Sequence, residues 1–513
     1  MGTEIKKKKQ TIMCAEELKL NNVKNKKLNR QATRKTRGIT LIALVVTIVV
    51  LLILAGITIS LVFSENGIIA KAKEAAEKTN QAAINEQAQM NELAGYLDNM
   101  LNEIGENGEE PNIPEPTLPS DGSYSEEKGV NTPNLGEGMT PIKWDKTKND
   151  WVETTGNDPD WYDYTAKKWA NAKTSDGSMW VWIPRYAYSI TSGYHSSSAG
   201  NIEIEFMKGT SNEGATGKSI VSYETAKANA ENTHKFVDGN YVIHQAFNYG
   251  TTISGIWVAK FEASNSGGKI KVVPGVSSWR SITVNDIYTN CLNYDSNTLG
   301  NANLNSHMMK NDEWGAVAYL SKSKYGKQNE EVWINNSSSY ITGSAGNSAS
   351  AGSNTGTTND YTSTQGVKAS TTGTVYGVYD MSGGAWEYVA GYVNNSYTTN
   401  YGSSLVNGAV KTKNVYSTGS SDNQSNNYNA NSSKYGDVVY ETSANGNSSN
   451  GSWYGDYASF PGTSSPFFVR GGYYSDNAGS GMFCFGGYSG DINGYHSFRP
   501  VLVALWCDCK YFL

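Results

Sequence analysis

From residue 39 to residue 63 the chain reads ITLIALVVTIVVLLILAGITISLVF, 25 residues without a charge. At 1.5 Å of rise per residue such a run spans the hydrocarbon core of a bilayer with some tilt, and in lipid a lone segment satisfies its backbone N–H and C=O groups only as a helix. A cleavable secretory signal would have a shorter apolar core. The first 38 residues carry twelve Lys and Arg against three acids, and basic flanks stay cytoplasmic. Residues 1–38 are therefore expected as a cytoplasmic leader, 39–63 as a single transmembrane helix, and everything beyond as extracellular. With +9 in the leader and −6 in total, the remainder carries −15, which makes it a poor nucleic-acid binder.

The junction RGITLIALVVTIVVLLILAG resembles the N-terminus of type IV pilins and pseudopilins. That resemblance implies cleavage by a prepilin peptidase between Gly38 and Ile39, with N-terminal methylation. Most pilins carry a Glu five residues after the cut, where this chain has Ala43. The resemblance thus points to a minor or tip-type subunit, or a plain anchor, rather than a major pilin. Residues 64–104 are rich in Ala, Glu, Lys and Gln, with Lys73 and Glu77 at i,i+4 and an apolar stripe through Leu93, Tyr96, Leu97, Met100, Leu101 and Ile104 that could pack on a pilin-like partner. They are expected as a helical stalk. Residues 105–130, with Pro, Gly and acids, are expected as an extended linker.

From 131 to 506 the chain turns to Trp, Tyr, Gly, Ser, Asn and Thr. The alternations Trp180, Trp182, Pro184 and Ile256, Val258, Lys260 predict half-buried strands, and residues 310–326 predict a helix. The low-complexity tracts 341–368 and 395–452 are expected as surface loops, being poor in aliphatic residues. The expected class is α+β, with short strands and large loops. The blocks SSWRSITVNDIYTNC, NSHMMKNDEWGAVAYL, YGVYDMSGGAWEYVAGY, FFVRGGYY and HSFRPVLV resemble, in order and spacing, those of the formylglycine-generating-enzyme-like (sulfatase-modifying-factor) variant of the C-type lectin fold. The resemblance covers most of 139–503 and implies scaffold roles for Trp314, Trp386, Glu387, Arg470, Gly471, Gly472, Phe498 and Arg499. The glycine pairs Gly383/Gly384 and Gly471/Gly472 suit positive φ or close backbone approach.

Signs of chemistry are thin. The sulfatase-activating members use a cysteine pair near the domain's end, where this chain offers Cys484 alone; Cys291 is distant, and Cys14, Cys507 and Cys509 form no metal-type quartet. The five histidines show no metal spacing. Lys218 in GTSNEGATGKS is expected as solvated charge, and Asp158, Asp160 and Asp163 as a turn with exposed acids. No catalytic residue and no metal ligand is expected; the fold resemblance leaves room for structural calcium.

The remaining feature is the stretch between the hydrophobic edges FFVRGG and SFRPVLV, within a region at 467–503. Its tyrosines, serines, glycines and asparagines have the chemistry of an antibody paratope. The expected ligand-contacting set is Tyr473, Tyr474, Ser475, Asp476, Asn477, Ser480, Cys484, Gly486, Tyr488, Ser489, Asp491, Asn493, Tyr495 and His496. Placement and composition resemble the variable proteins of diversity-generating retroelements, where randomised adenines turn AAY codons into Tyr, Ser, Asp, Asn, Gly and others, never Lys, Glu, Gln, Trp or Met. From 471 to 499 there is no Lys, Glu, Gln or Trp and one Met, Met482, expected to be fixed. The resemblance implies a surface-displayed binder of a protein or glycan on another cell or a phage. The alternatives are a formylglycine-generating-type cysteine oxidase and a minor pilin or pseudopilin of a pilus or secretion system.

Overall fold

The computed structural model describes residues 121–233, 239–300, 303–352 and 358–504. The leader, the Gly38–Ile39 junction, the transmembrane and stalk segments, the linker up to residue 120 and the 507–513 tail lie outside the described residues. The chain divides into two units, Met1–Glu115 and Pro116–Leu513; the fold below belongs to the second. Among the described residues no helix is long and apolar enough to cross a membrane.

The described part is mixed α+β, with many short strands and few helices. It starts before residue 131: Tyr124–Ser125 pairs antiparallel with Val130–Asn131, and Asn131 is buried with its Nδ2 donating to the Ser254 carbonyl at 2.9 Å.

A seven-stranded, wholly antiparallel sheet forms the centre. Its middle strands are β1 (Met179–Pro184) and β2 (Gly255–Ala259). Both are buried on both faces rather than half-buried as the alternation suggests, because aromatic residues cover each side. Trp182 lies opposite Trp257 in the β1–β2 ladder with ring centroids 5.3 Å apart, and Trp180 and Trp182 each donate an indole N–H to a buried acceptor and Trp257 to the Asn134 carbonyl. Lys260, at the end of the β2 alternation, is fully buried; its ammonium donates to Asn171 Oδ1 and to the Val375 and Gly377 carbonyls at 2.6–2.9 Å, the shell a desolvated cation requires.

Helix α1 (Val284–Leu292) starts from a Thr283 side-chain cap. Helix α2 (Asn311–Lys322) is buried along its whole length, and the Glu313 carboxylate reaches back to the Lys310 N–H at 2.8 Å. A second seven-stranded sheet carries β3 (Trp386–Val393), β4 (Phe467–Gly471), β5 (Gly481–Tyr488) and β6 (His496–Phe498). Here β3 pairs antiparallel with β4 and parallel with β6, and β4 pairs antiparallel with β5. One residue after β6, β7 (Pro500–Leu502) enters the central sheet against β2.

The tract 395–452, expected as surface loop, is exposed over much of its length but packs inward between 435 and 443 and at single tyrosines before it. Tyr416, Tyr428, Tyr435, Val438, Val439 and Glu441 are buried, Asn414–Tyr416 is a strand beside β3, and Gln424–Ala430 is a helix. Tyrosine rings replace the missing aliphatic residues as core, and their hydroxyls are taken up: Tyr188 and Tyr319 donate to Glu441 at 2.6 and 2.8 Å, and Tyr416 to Asp437 at 2.7 Å.

Candidate ligand-binding face

Arg499 is the single residue between β6 and β7, and it is fully buried. Its guanidinium makes a bidentate pair with Glu387 of β3, Nε to Oε2 at 2.7 Å and Nη2 to Oε1, and donates to the Ala259 and Tyr379 carbonyls at 3.0 and 3.1 Å. One side chain thereby ties the β3 sheet to the end of β2 in the central sheet. Glu262 and Asp380 lie within electrostatic reach of it. Both carboxylates take backbone and amide donors as well: Glu262 Oε1 accepts from Ala385 N, and Asp380 accepts from Asn335 Nδ2, Gly343 N and Glu262 N. This carboxylate cluster is an arginine seat, and among the described residues no group of three His, Cys, Asp or Glu is arranged to hold a metal.

The two glycine pairs do as their spacing suggests. Gly383, Gly384, Gly471 and Gly472 all have φ between +71° and +84°, the region that only glycine enters freely. Gly383 N donates to the Gly471 carbonyl and Tyr474 N to the Gly384 carbonyl. The turn before β3 thus holds the chain leaving β4 and sets where residue 473 emerges.

Beyond this frame the chain from 473 to 479 and from 489 to 495 reaches the surface. Tyr473 packs edge-on against Tyr474 (5.2 Å) and tilted against Tyr495 (5.6 Å); Tyr474 meets Tyr340 edge-on (5.0 Å), and the Arg280 guanidinium lies 3.8 Å over the Tyr340 ring. Arg280 Nη1 also donates to the Gly494 carbonyl at 2.7 Å. The outcome is a continuous aromatic ridge across three distant segments, with Tyr495 54% exposed at its outer end. Ser475, Asp476, Ser489, Asp491 and Asn493 are half-buried and Asn477 is exposed. Ser489 donates to Asp491 at 2.8 Å, and Asn493 Oδ1 accepts Tyr495 N at 2.7 Å, which shapes the second loop.

Four residues of the expected contact set face inward. Ser480, Cys484, Gly486 and His496 are buried. Ser480 Oγ donates to the Tyr473 carbonyl, so it braces the first loop from below. Cys484 and Gly486 sit mid-strand in β5, covered on both sides by β4 and Ala458–Ser459. His496 lies 4.2 Å from the Tyr488 ring and 4.9 Å from Tyr388, and burial holds its imidazole down to about 3. Tyr488 is only half-buried but serves the interior as well, its hydroxyl accepting Asn493 Nδ2 at 2.6 Å.

The scaffold set divides in the opposite sense. Trp314, Glu387, Arg470, Phe498 and Arg499 are fully buried, and Trp314 Nε1 donates to the carbonyl of buried Met482. Trp386, by contrast, is half-buried and lines an open depression of about 540 Å³ with Ser449, Asn450, Tyr457, Asp476, Asn477, Ala478 and Gly479. Trp386, Tyr457 and Arg280 of the face, and buried Tyr340 that supports it, were invisible because they come from segments remote in sequence; an aromatic residue in a glycine-flanked turn was the signal for Trp386. Ile492, 65% exposed, also joins the face.

Elsewhere the chemistry is quiet. Burial pushes both the Cys291 and Cys484 thiols up, away from the reactive thiolate. Asp158 is partly desolvated, yet the hydrogen bond from Lys143 draws its carboxyl down to about 2, and Lys218 is exposed. No protein-family model matches the chain, and no curated protein matches it.

Proposed function

We propose that this chain is a membrane-anchored surface receptor or adhesin, its 121–504 region a formylglycine-generating-enzyme-like variant of the C-type lectin fold, that binds a protein or glycan on another cell or a phage through the Tyr473–Tyr474–Tyr495 face. The leader and apolar helix anchor it, in a minor-pilin-like manner, with the folded unit outside the cell. The face is diversified by a retroelement acting on codons between Arg470 and Arg499.

The observation that carries this reading is the division of labour between neighbours. Large amphipathic side chains stand at the surface on two short loops, while the residues that hold those loops, Arg499, Glu387, Arg470, Trp314 and the glycine pairs, are buried. Tyrosine offers much contact area for little rotamer entropy, and half-buried rings are already partly ordered before binding. Tyr488 belongs more to the frame than to the face.

The triple change Tyr473→Ala, Tyr474→Ala, Tyr495→Ala tests the face: cell-surface adhesion should fall to background while the urea midpoint stays near the parent's. Loss of folding would make these rings core and overturn the reading. Diversification is tested by sequencing beside the gene. A reverse transcriptase and a near-copy of codons 471–499 that differs only at adenines is expected, and the absence of both sinks that part.

A further inference from the structure

The depression beside the tyrosine ridge has a composition of its own. Trp386 and Tyr457 stand with ring centroids 6.2 Å apart and planes at 76°, so two aromatic walls meet nearly at right angles. The Trp386 ring is held in place: its backbone N donates to the Tyr495 carbonyl at 2.9 Å, and its six-membered ring packs over Gly486, where even a β-carbon would come within 3.5 Å of it. Tyr457 is likewise tied down, its N–H donating to the Gly479 carbonyl and its own carbonyl accepting from Phe485 N. The third wall is the Asp476 carboxylate, fixed by the Tyr473 N–H at 3.0 Å. Asn450, Asn477 and Ser449 complete the rim, and among the described residues neither Lys nor Arg lines the depression.

We propose that this depression is a subsite for a monovalent organic cation, an alkylammonium group of the ligand seated against the Trp386 and Tyr457 rings and neutralised by Asp476. The proposal rests on the binding face described above and names the chemistry of one part of its ligand. The negative face of an aromatic ring attracts a cation, Trp most strongly, and the attraction grows when water is partly excluded. A carboxylate in the same corner supplies the counter-charge. Asp476 has no charged partner among the described residues: burial raises its carboxyl to about 6 against the hydrogen bonds of the Tyr473 N–H and the Trp386 indole, and no cation appears among the groups that act on it. A bound ammonium would supply the missing charge. A neutral sugar stacking on Trp386 can donate a hydroxyl to that carboxylate but leaves its charge uncompensated, which is why the cation is favoured.

The alkylammonium can come from a methylated headgroup of an envelope polymer or from a protein lysine, and matched probes separate the two. Saturation-transfer NMR on the full chain in maltoside detergent would compare choline with 3,3-dimethyl-1-butanol, its uncharged isostere, and Nα-acetyl-lysine amide with Nα-acetyl-norleucine amide. At least one cation should bind about five-fold or more tighter than its neutral partner. Asp476→Asn should erase most of that preference, Trp386→Ala should abolish binding, and Trp386→Phe should restore part of it, all with unchanged unfolding midpoints. Preference for choline assigns the headgroup, preference for the lysine amide the protein side chain. Equal binding of cation and isostere, no binding of either cation, or cation binding that survives both Asp476→Asn and Trp386→Ala overturns the proposal. The alanine triple at Tyr473, Tyr474 and Tyr495 keeps the subsite, so its loss of adhesion with cation binding intact separates failure of the subsite from failure of the face.

Discussion

At the scale of single residues, burial decides roles that residue type leaves open. His496 reads in sequence as one more polar member of a variable loop, yet it sits between the Tyr388 and Tyr488 rings and is kept neutral. Unfolded histidine titrates near 6.5, whereas folded His496 is held at about 3. Between these values the unfolded chain binds the extra proton, so stability present at neutrality is lost as pH falls from 6.5 towards 3, by about 2 kcal/mol at pH 5 for this ring. His244, lowered to about 3 by burial and the nearby Lys310 charge, acts in the same direction. His496→Phe should therefore flatten the decline in stability between pH 6.5 and 4, read from urea unfolding at a series of pH values; an unchanged slope would show that this histidine is not a source of the acid sensitivity. Arg499 and Glu387 were legible as frame from their motifs, because a buried arginine demands a carboxylate. Trp386 was not, since a glycine-flanked turn can point its aromatic ring either way, and only Gly486 beneath it fixes the outward rim.

Among elements, the helix expected over 310–326 is present as Asn311–Lys322, a turn shorter at its C-terminal end, where Ser323 turns to extended backbone. Its amphipathicity gave no hint of its surroundings, for every residue along it is buried. The glycine in its middle is explained only by the neighbour: a β-carbon on Gly315 would overlap the Gly436 carbonyl oxygen. Helix propensity alone makes Gly315→Ala stabilising by about 1 kcal/mol, and the close approach reverses the sign. A loss of about 1–3 kcal/mol in the urea unfolding free energy is expected; a gain would mean that the two backbones separate without cost. The inward-packed part of the 395–452 tract escaped the sequence reading because a count of aliphatic residues omits tyrosine. Tyr416, Tyr428 and Tyr435 pack inward, the Tyr416 hydroxyl donating to Asp437 and the Tyr428 hydroxyl to the Ser443 carbonyl, while Asn427 Nδ2 donates to Asp422.

For the whole molecule, the last strand closes the first sheet. Residues Val501, Leu502 and Val503 are buried, and β7 lies between β2 and His307–Met308. Burying three such side chains contributes about 6 kcal/mol, comparable with the entire net stability of a domain. A chain ending at Arg499 should therefore lose cooperative unfolding by near-ultraviolet circular dichroism, whereas one ending at Ala504, whose carbonyl accepts Asn134 Nδ2 at 2.7 Å, should unfold as the parent does. A cooperative transition in the shorter chain would show that β7 is dispensable. What the sequence by itself determined is what local chemistry dictates: a 25-residue apolar run, glycine pairs placed for positive φ, one helix, and a mixed α+β chain of short strands. The tertiary structure alone decided which tyrosines face outward, that Cys484, Ser480 and His496 face inward, and that Trp386 and Tyr457 meet beside Asp476. Those outcomes depend on pairing between segments apart in the chain, such as Trp386 with Tyr457 and with His496, and the side on which a strand is covered is a property of its neighbours.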